Sequence, residues 1–413
     1  MKRRTFLRHT ALTLGLMTTE PIVGTGKAQE KREAATMKHT TDQLPEKFDL
    51  FQWERQRVTR LADGWLAATP GSVTPAHSPR SAGGLHDYFS EGDYWWPDPQ
   101  HPDGPYIQRD GMSNPDNFNT HRLALIRLSR IVGAMAAAYG ITGDGKYARC
   151  AVQHLKVWFL NDDTRMAPHL LYAQAIKGRV TGRGTGIIDT IHLAEVVQSI
   201  PILKPSAALS AADEQGLRQW FAEYLQWIST HPYGLEERRA ANNHGTCWVM
   251  QAASFARFVG DEPMLVSCRE QFQKTIVAKQ INAEGKFPLE LKRTKPYSYS
   301  LFNLDVMGIA ARILSEPGDT ALWTMQNVAG GSLKQAMEWH YPYIVDKTKW
   351  PLPPDVMYFE FFPVRLPSLL FASIALQETR YLELWKKLEP DPTNEEVIRN
   401  FPVRQPVLWV NPA

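Results

Sequence analysis

Two segments of the chain combine residue types that suit one demanding kind of chemistry. The first, NNHGTCW, sets Asn242, Asn243 and His244 directly before a long apolar stretch with helical spacing. A single Asn there is an ordinary N-cap. Two amides and an imidazole at the positive end of a helix also suit a negatively charged group. The second segment, ELKRTKPYSYSLFNLD, brings Arg293 close to Tyr297 and Tyr299. Taken singly, the two segments read as a cap with a core histidine and as a surface turn with aromatic packing.

Taken together they hold the groups needed to remove a proton alpha to a carboxylate. The ionised carboxylate resists a second developing charge, so hydrogen bonds from Asn, His and Arg must neutralise it and stabilise an enolate-like species. A base then takes the proton, and an acid protonates the departing glycosidic oxygen. An unperturbed tyrosine has a pKa of about 10, so a nearby Arg is expected to bring its phenolate within reach. That chemistry is β-elimination on a polymer of uronic acids.

A third segment, DYFSEGDYWWP, offers Tyr94, Trp95 and Trp96 as a platform for sugar rings, or equally as core. Other site types are missing. The 12 histidines are scattered, with no HExxH or other close pair to hold zinc, and there is no GxSxG elbow and no Walker A loop. The glycines of VTGRGTGIID have GxGxG spacing and no strand before them, which argues against a dinucleotide loop. They read instead as a mobile loop over a cleft, carrying Arg179 and Arg183. Neither a metal nor a cofactor is implied.

The elements that must position these groups are helices. Helical spacing predicts them near residues 49–68, 121–139, 145–160, 187–200, 210–230, 246–259, 264–279, 301–314, 332–343 and 365–387, and strand-like alternation is scarce. In the segment after Leu209, Ser210 and Asp213 are placed for a capping box. Leu217, Trp220, Phe221, Tyr224 and Ile228 form one apolar stripe behind it. A weak repeat ends helices at Gly-Asp turns, at Gly143, Gly260 and Gly318, each starting another helix. Antiparallel helix pairs repeating in this way predict an all-α fold of the α/α toroid type. This is an incomplete barrel of helix hairpins, with the long loops 70–120 and 280–300 over a central cleft.

The opening MKRRTFLRHTALTLGLM reads as a twin-arginine export signal spanning 1–28, followed by a polar tether over 29–47 and a single catalytic domain over 48–413. This predicts a periplasmic or secreted protein. No later apolar run is expected to span a membrane. The net charge of +3 and the lack of a basic stripe argue against nucleic acid as a partner. Cys150, Cys247 and Cys268 lie in apolar helical patterns and read as buried free thiols.

The NNHGTCW and ELKRTKPYSYSLFNLD segments resemble the two signature regions of the alginate-lyase superfamily of polysaccharide lyases. EGDYWWPDP and GPYIQRDG resemble the aromatic N-terminal region of its glucuronan-lyase branch. The resemblance runs from about residue 80 to 380 and implies an α/α toroid that cleaves an acidic polysaccharide by β-elimination. It implies that Asn243 neutralises the uronate carboxylate, and that His244 assists or acts as base. Arg293 then matches the family arginine, and Tyr299 the catalytic tyrosine. Two features depart from the alginate-cleaving pattern. The Arg-to-Tyr spacing is one shorter, and Ser300 stands where that branch has His, which leaves Tyr297 as a competitor for Tyr299. Arg109, His121, Arg122 and Arg183 are further candidates for sugar binding, beside Asn242. Two other readings remain at this point. One is a toroidal hydrolase using paired acids among Asp87, Glu91, Asp93 and Asp98. The other is a saccharide-binding protein without turnover. The sequence does not reveal the oligomeric state.

Overall fold

Helices are the main elements of the computed structural model, which describes residues 44, 45 and 48–410. The expected export signal lies outside the described residues, as does the tether apart from Leu44 and Pro45. In chain order the first helices are α1 (Leu50–Trp65), α2 (Thr120–Thr142), α3 (Gly145–Phe159), α4 (Leu193–Leu203) and α5 (Ala211–Thr230). Next come α6 (Pro232–Arg239), α7 (Asn243–Val259), α8 (Glu262–Gln271), α9 (Ala278–Gln280) and α10 (Pro288–Leu291). The last are α11 (Pro296–Leu314), α12 (Ala321–Thr324), α13 (Leu333–Val345), α14 (Pro367–Leu376), α15 (Thr379–Lys387) and α16 (Glu395–Arg399).

Helices α2, α4, α7, α11 and α14 form an inner series in which each packs on the next. Outside them, α1 and α3 cover α2, α5 and α8 cover α7, α13 covers α11, and α15 covers α14. This is the predicted α/α toroid, with the inner helices around a central cleft. The sequence explains the two layers. Inner α11 is buried at every position except Arg312, and α7 at nearly every one, so neither has a solvent face to keep polar. Outer α5 buries only a stripe, Leu217, Trp220, Phe221, Tyr224, Leu225 and Ile228.

Two of the three Gly-Asp turns end a helix as expected, Gly143 capping α2 and Gly260 capping α7, whereas α11 already ends at Ser315, three residues before Gly318. Gly143, Gly260 and Gly318 all adopt positive φ. The aspartates that follow cap what comes next: Asp144 accepts from the Lys146 amide, Asp261 from Met264 and Asp319 from Ala321. Of the capping box at α5, one half forms. Ser210 accepts from the Asp213 amide at 3.1 Å, but the Asp213 carboxylate takes the Ser210 hydroxyl rather than its N–H.

Several expectations need correction. The single helix predicted over 365–387 is two, broken at Gln377, whose φ of 54° is left-handed. Short helices α6, α10, α12 and α16 carry too few apolar positions to show a period. The long loop 70–120 contains three short strands, β1 (Phe89–Glu91), β2 (Trp95–Trp96) and β3 (Ile107–Gln108). β1 pairs in parallel with β4 (Tyr172–Ala175), and β2 pairs antiparallel with β3. Two segments, Thr120–Thr142 and Gly184–Leu203, are long and apolar enough by composition to cross a membrane, contrary to the sequence reading. Their apolar windows are 67% and 78% buried, which marks them as core helices. All three cysteines are free and buried.

Candidate active site

The N-terminal ends of α7 and α11 open into one cavity of about 460 Å³. Asn242, Asn243 and His244 line it from the start of α7, and Arg293 and Tyr299 from the approach to α11 and its first turn. Tyr94, Trp95 and Arg183 close other sides. The two segments that the sequence suggested therefore face a single space. The helix ends contribute partial positive charge to it.

The entry to α7 answers why two asparagines precede it. Asn242 is the N-cap residue, but its side chain makes no capping bond. The cap comes from Glu290 on α10, whose carboxylate accepts the Asn243 backbone N–H and its side-chain Nδ2, both at 2.8 Å. One amide proton of Asn243 is thus used for orientation, and the second is free to serve the cavity. The Asn242 carbonyl accepts from Gln280, which ties the other shoulder of the turn. Burial raises the Glu290 pKa against the pull of Asn243, Arg293 and His244.

His244 is held by its neighbour on the preceding helix. Its Nδ1 lies 2.7 Å from Oε1 of Glu237, a carboxylate only 1% exposed. Burial opposes the charged imidazole, but the charge and hydrogen bond of Glu237, with Glu290 behind, raise its pKa above the ordinary value. Nδ1–H donated to a carboxylate also fixes the tautomer, so that Nε2 is the nitrogen left for a ligand.

Tyr299 departs from expectation in its electrostatics. Its hydroxyl is 2.5 Å from that of Tyr94. Burial and Tyr94 raise its pKa well above 10, despite the opposing pull of Arg293 and Arg399. Arg293 was expected to make the phenolate accessible. Instead its guanidinium lies over the ring face, 4.5 Å from the centroid, and gives its hydrogen bonds to Asp110 at 2.6 and 3.1 Å. The resting Tyr299 is therefore a neutral phenol.

The cavity wall includes residues that sequence reasoning missed. Arg399, on α16, lines it and pairs with Asp93 at 3.2 Å and Glu396 at 3.0 Å. Asp93 is also gripped by Arg122, and the two arginines outweigh burial and keep its pKa low. Gln174, with a left-handed φ of 50°, accepts from Arg183 and donates to buried Asp189. Asp110, Gln108, Thr185 and Asn400 complete the polar lining. Asp93 and Asp110 lie inside the noted aromatic region; Asp93 was named there only as an acid of the hydrolase reading, and the charge of Asp110 was a usable signal. Nothing local marks Arg399: the C-terminal tail places it by returning to donate to Glu195 on α4 from the Arg404 and Gln405 amides.

Five expected binding residues do not line the cavity. Tyr297 is buried, with its hydroxyl bonded to the Tyr343 carbonyl and its ring against Trp350 and Phe359, which removes it as a rival to Tyr299. His121 spends both ring nitrogens on the backbone, at Phe89 and Ala76. Arg122 acts behind the wall through Asp93. Trp96 bonds Met112 through its indole N–H, and Arg109 stacks on its ring. Ser300 is fully buried. The glycine segment is no loose loop either. A Cβ on Gly182 would run into the Leu171 carbonyl, one on Gly184 into Glu236 and one on Gly186 into Ala173, and residues Gly184–Thr190 form a 3₁₀ helix.

A larger hollow of about 700 Å³ lies between α3 and α5, but it holds none of these residues. Its charged lining is mainly acidic, with Asp162, Asp213 and Glu223 against Arg165, which disfavours a polyanion. Among the described residues no group of three or more His, Cys, Asp or Glu side chains is arranged to hold a metal ion.

The alginate lyase family profile matches residues 72–350. The chain belongs to the alginate lyase family. It is therefore a polysaccharide lyase, and its substrate is an acidic polysaccharide. An alginate lyase from Bacteroides ovatus is 32% identical, with a TM-score of 0.74, over 85% of this chain and 92% of that one. Alginate lyase A1-III from Sphingomonas species A1 shares the fold at 13% identity, with a TM-score of 0.51, over 86% and 95% of the two chains. No curated protein matches this lyase in sequence. The matched region ends before Arg399 and Asn400, so part of the cavity wall comes from beyond it.

Proposed function

We propose that this lyase cleaves a 1,4-linked uronate polymer, alginate or β-1,4-glucuronan, and leaves a 4,5-unsaturated sugar at the new non-reducing end. The convergence of Asn243, His244, Arg293 and Tyr299 on one cavity carries the reading. Asn243 and the α7 terminus meet the uronate carboxylate, with Arg293 adding charge as the enolate-like species forms, joined by the His244 imidazolium where His244 is not the base. Tyr299, kept neutral by burial and Tyr94, gives its proton to the departing glycosidic oxygen. The base follows from the sugar. Where C5–H and the C4–O bond lie on opposite faces, neutral His244 takes the proton through Nε2. Where they share a face, the proton passes through the tyrosine pair: as one hydroxyl takes the C5 proton it hands its own across the 2.5 Å bond to the other, which protonates the glycosidic oxygen, so both end neutral.

A hydrolase fits the site poorly. Of the acids considered from sequence, Asp87, Glu91 and Asp98 do not line the cavity, and Asp93 does. Asp93 and the other lining acid, Asp110, are held ionised by arginines, whereas a hydrolase needs one carboxyl kept protonated. The twin-arginine start supports work outside the cytoplasm, in the periplasm or beyond. The test is a panel of polymannuronate, polyguluronate and glucuronan, followed by ultraviolet absorbance and product mass. Unsaturated oligosaccharides from at least one are expected. Products without the double bond, or none from any uronan, would refute the proposal.

A further inference from the structure

Next to the catalytic cavity, residues 176–180 form a tight turn closed by paired backbone bonds between Ile176 and Val180, at 2.9 and 3.1 Å. Gly178 takes a φ of 73° and lies so near Pro105 that a Cβ would meet its Cα at 2.8 Å. The turn is pinned on both sides of that glycine. The Tyr106 amide donates to the Lys177 carbonyl at 3.1 Å, and Arg179 Nε donates to the Tyr106 carbonyl at 2.7 Å. A loop fixed in this way holds its side chains ready for a ligand.

Those side chains are two exposed cations without acidic partners. Arg179 uses only Nε, so its two terminal nitrogens have no protein acceptor among the described residues. That fork matches a carboxylate. The Lys177 ammonium has no carboxylate partner among the described residues and rests 5.6 Å from the Tyr106 ring centroid. Both line a groove of about 620 Å³, where the remaining charges, Arg80 and Glu91, pair with each other. The groove therefore carries two uncompensated positive charges. Arg179 also reaches toward the catalytic cavity, over the ring of Trp95 in the cavity wall. Arg179 lies 5.2 Å from that ring centroid, and Arg183, which lines the cavity, lies 5.9 Å from it.

We propose that this groove is an additional binding site for the uronate chain, in which Arg179 and Lys177 hold the carboxylate of a sugar beyond those flanking the scissile bond. The proposal rests on the lyase reading, and it makes the enzyme favour long chains. The test measures calorimetric affinity for an octasaccharide and a trisaccharide in a Tyr299→Phe parent, used so that the ligand is not cleaved during the titration, and in the same parent carrying Lys177→Glu or Arg179→Gln. The oligosaccharides come from the uronan turned over fastest in the panel, or from polymannuronate if none is. Lys177→Glu leaves the backbone pins of the turn in place. Each variant is expected to bind the octasaccharide about tenfold more weakly, with the loss shrinking at high salt, and the trisaccharide unchanged. Unchanged octasaccharide affinity in Lys177→Glu, equal losses for both lengths, or no octasaccharide binding by the Tyr299→Phe parent would each overturn it. Wild-type turnover, measured separately, reports on the lyase reading alone.

Discussion

Replacing Glu237 by Gln removes a charge from behind His244 while keeping an acceptor 2.7 Å from Nδ1. Burial alone pushes the imidazole toward its neutral form, and the Glu237 carboxylate reverses that push. A hydrogen bond to a charged group contributes about 1.5–3 kcal/mol, against about 0.5–1.5 for a neutral one. The substitution therefore forfeits about 1–2 kcal/mol of imidazolium stabilisation. At about 1.4 kcal/mol per tenfold in rate, kcat/KM should fall by about 5–30-fold where the charged imidazole is needed. The sign of the pH effect follows. With the carboxylate gone, His244 loses its proton at lower pH, so the limb of the pH–rate profile that it governs moves toward acid. The limb governed by Tyr299 stays in place. The assay is kcat/KM from ultraviolet absorbance of the unsaturated product, taken from acid to alkaline pH, with thermal melting as a check on folding. A profile that does not move, or moves toward alkali, would refute the idea that Glu237 tunes His244.

Tyr299→Phe should lower kcat by roughly 10²–10⁴-fold, the usual contribution of a general acid, with little change in melting temperature; activity near wild type would remove Tyr299 from the mechanism. Asp305 tests burial in the core instead: its carboxyl is pushed up to about 7 by desolvation, against about 3.9 when unfolded. Its folded form thus holds a proton that the unfolded form has lost, and stability falls as pH rises through that window. Asp305→Asn can still accept from Ser368 and cannot ionise, so its melting temperature relative to wild type should be higher at about pH 8 than at about pH 5. A pH-independent difference would contradict the burial argument. Gly182→Ala should destabilise by about 1–3 kcal/mol in denaturant titration, because its Cβ meets the Leu171 carbonyl rather than open space. Full stability would restore the loose-loop reading.

Much of the scaffold was legible because its cues are local. The α5 stripe and the Gly-Asp turns at 143 and 260 depend on residues a few positions apart, and these formed as read. The break at Gln377 was missed because no Gly or Pro marks it. The site was partly legible. Helix-end polarity at 242–244 and the Arg-Tyr pair at 293–299 pointed to one cavity, but neither segment revealed its braces. Glu290 caps α7 from a separate helix, and Glu237, seven residues before His244, sits in a helix that the sequence did not suggest. Tyr297 and Tyr299 could not be separated by spacing, since both follow Arg293 closely and only packing assigns one to the core.

The sequence by itself determined that the chain is helical, where its main hairpins turn, and which two segments carry the reactive types. Those properties follow from side-chain period, capping and glycine conformation, which act within a few residues. Only the tertiary structure decided the protonation of the groups and the membership of the wall. Tyr299 is neutral because burial outweighs Arg293, and His244 holds its proton more tightly than a free imidazole because a buried Glu237 outweighs burial. Arg399 reaches the cavity because a distant tail folds back onto α4. Solvent exclusion and charge–charge distances belong to the assembled fold, and no local stretch of chain contains them.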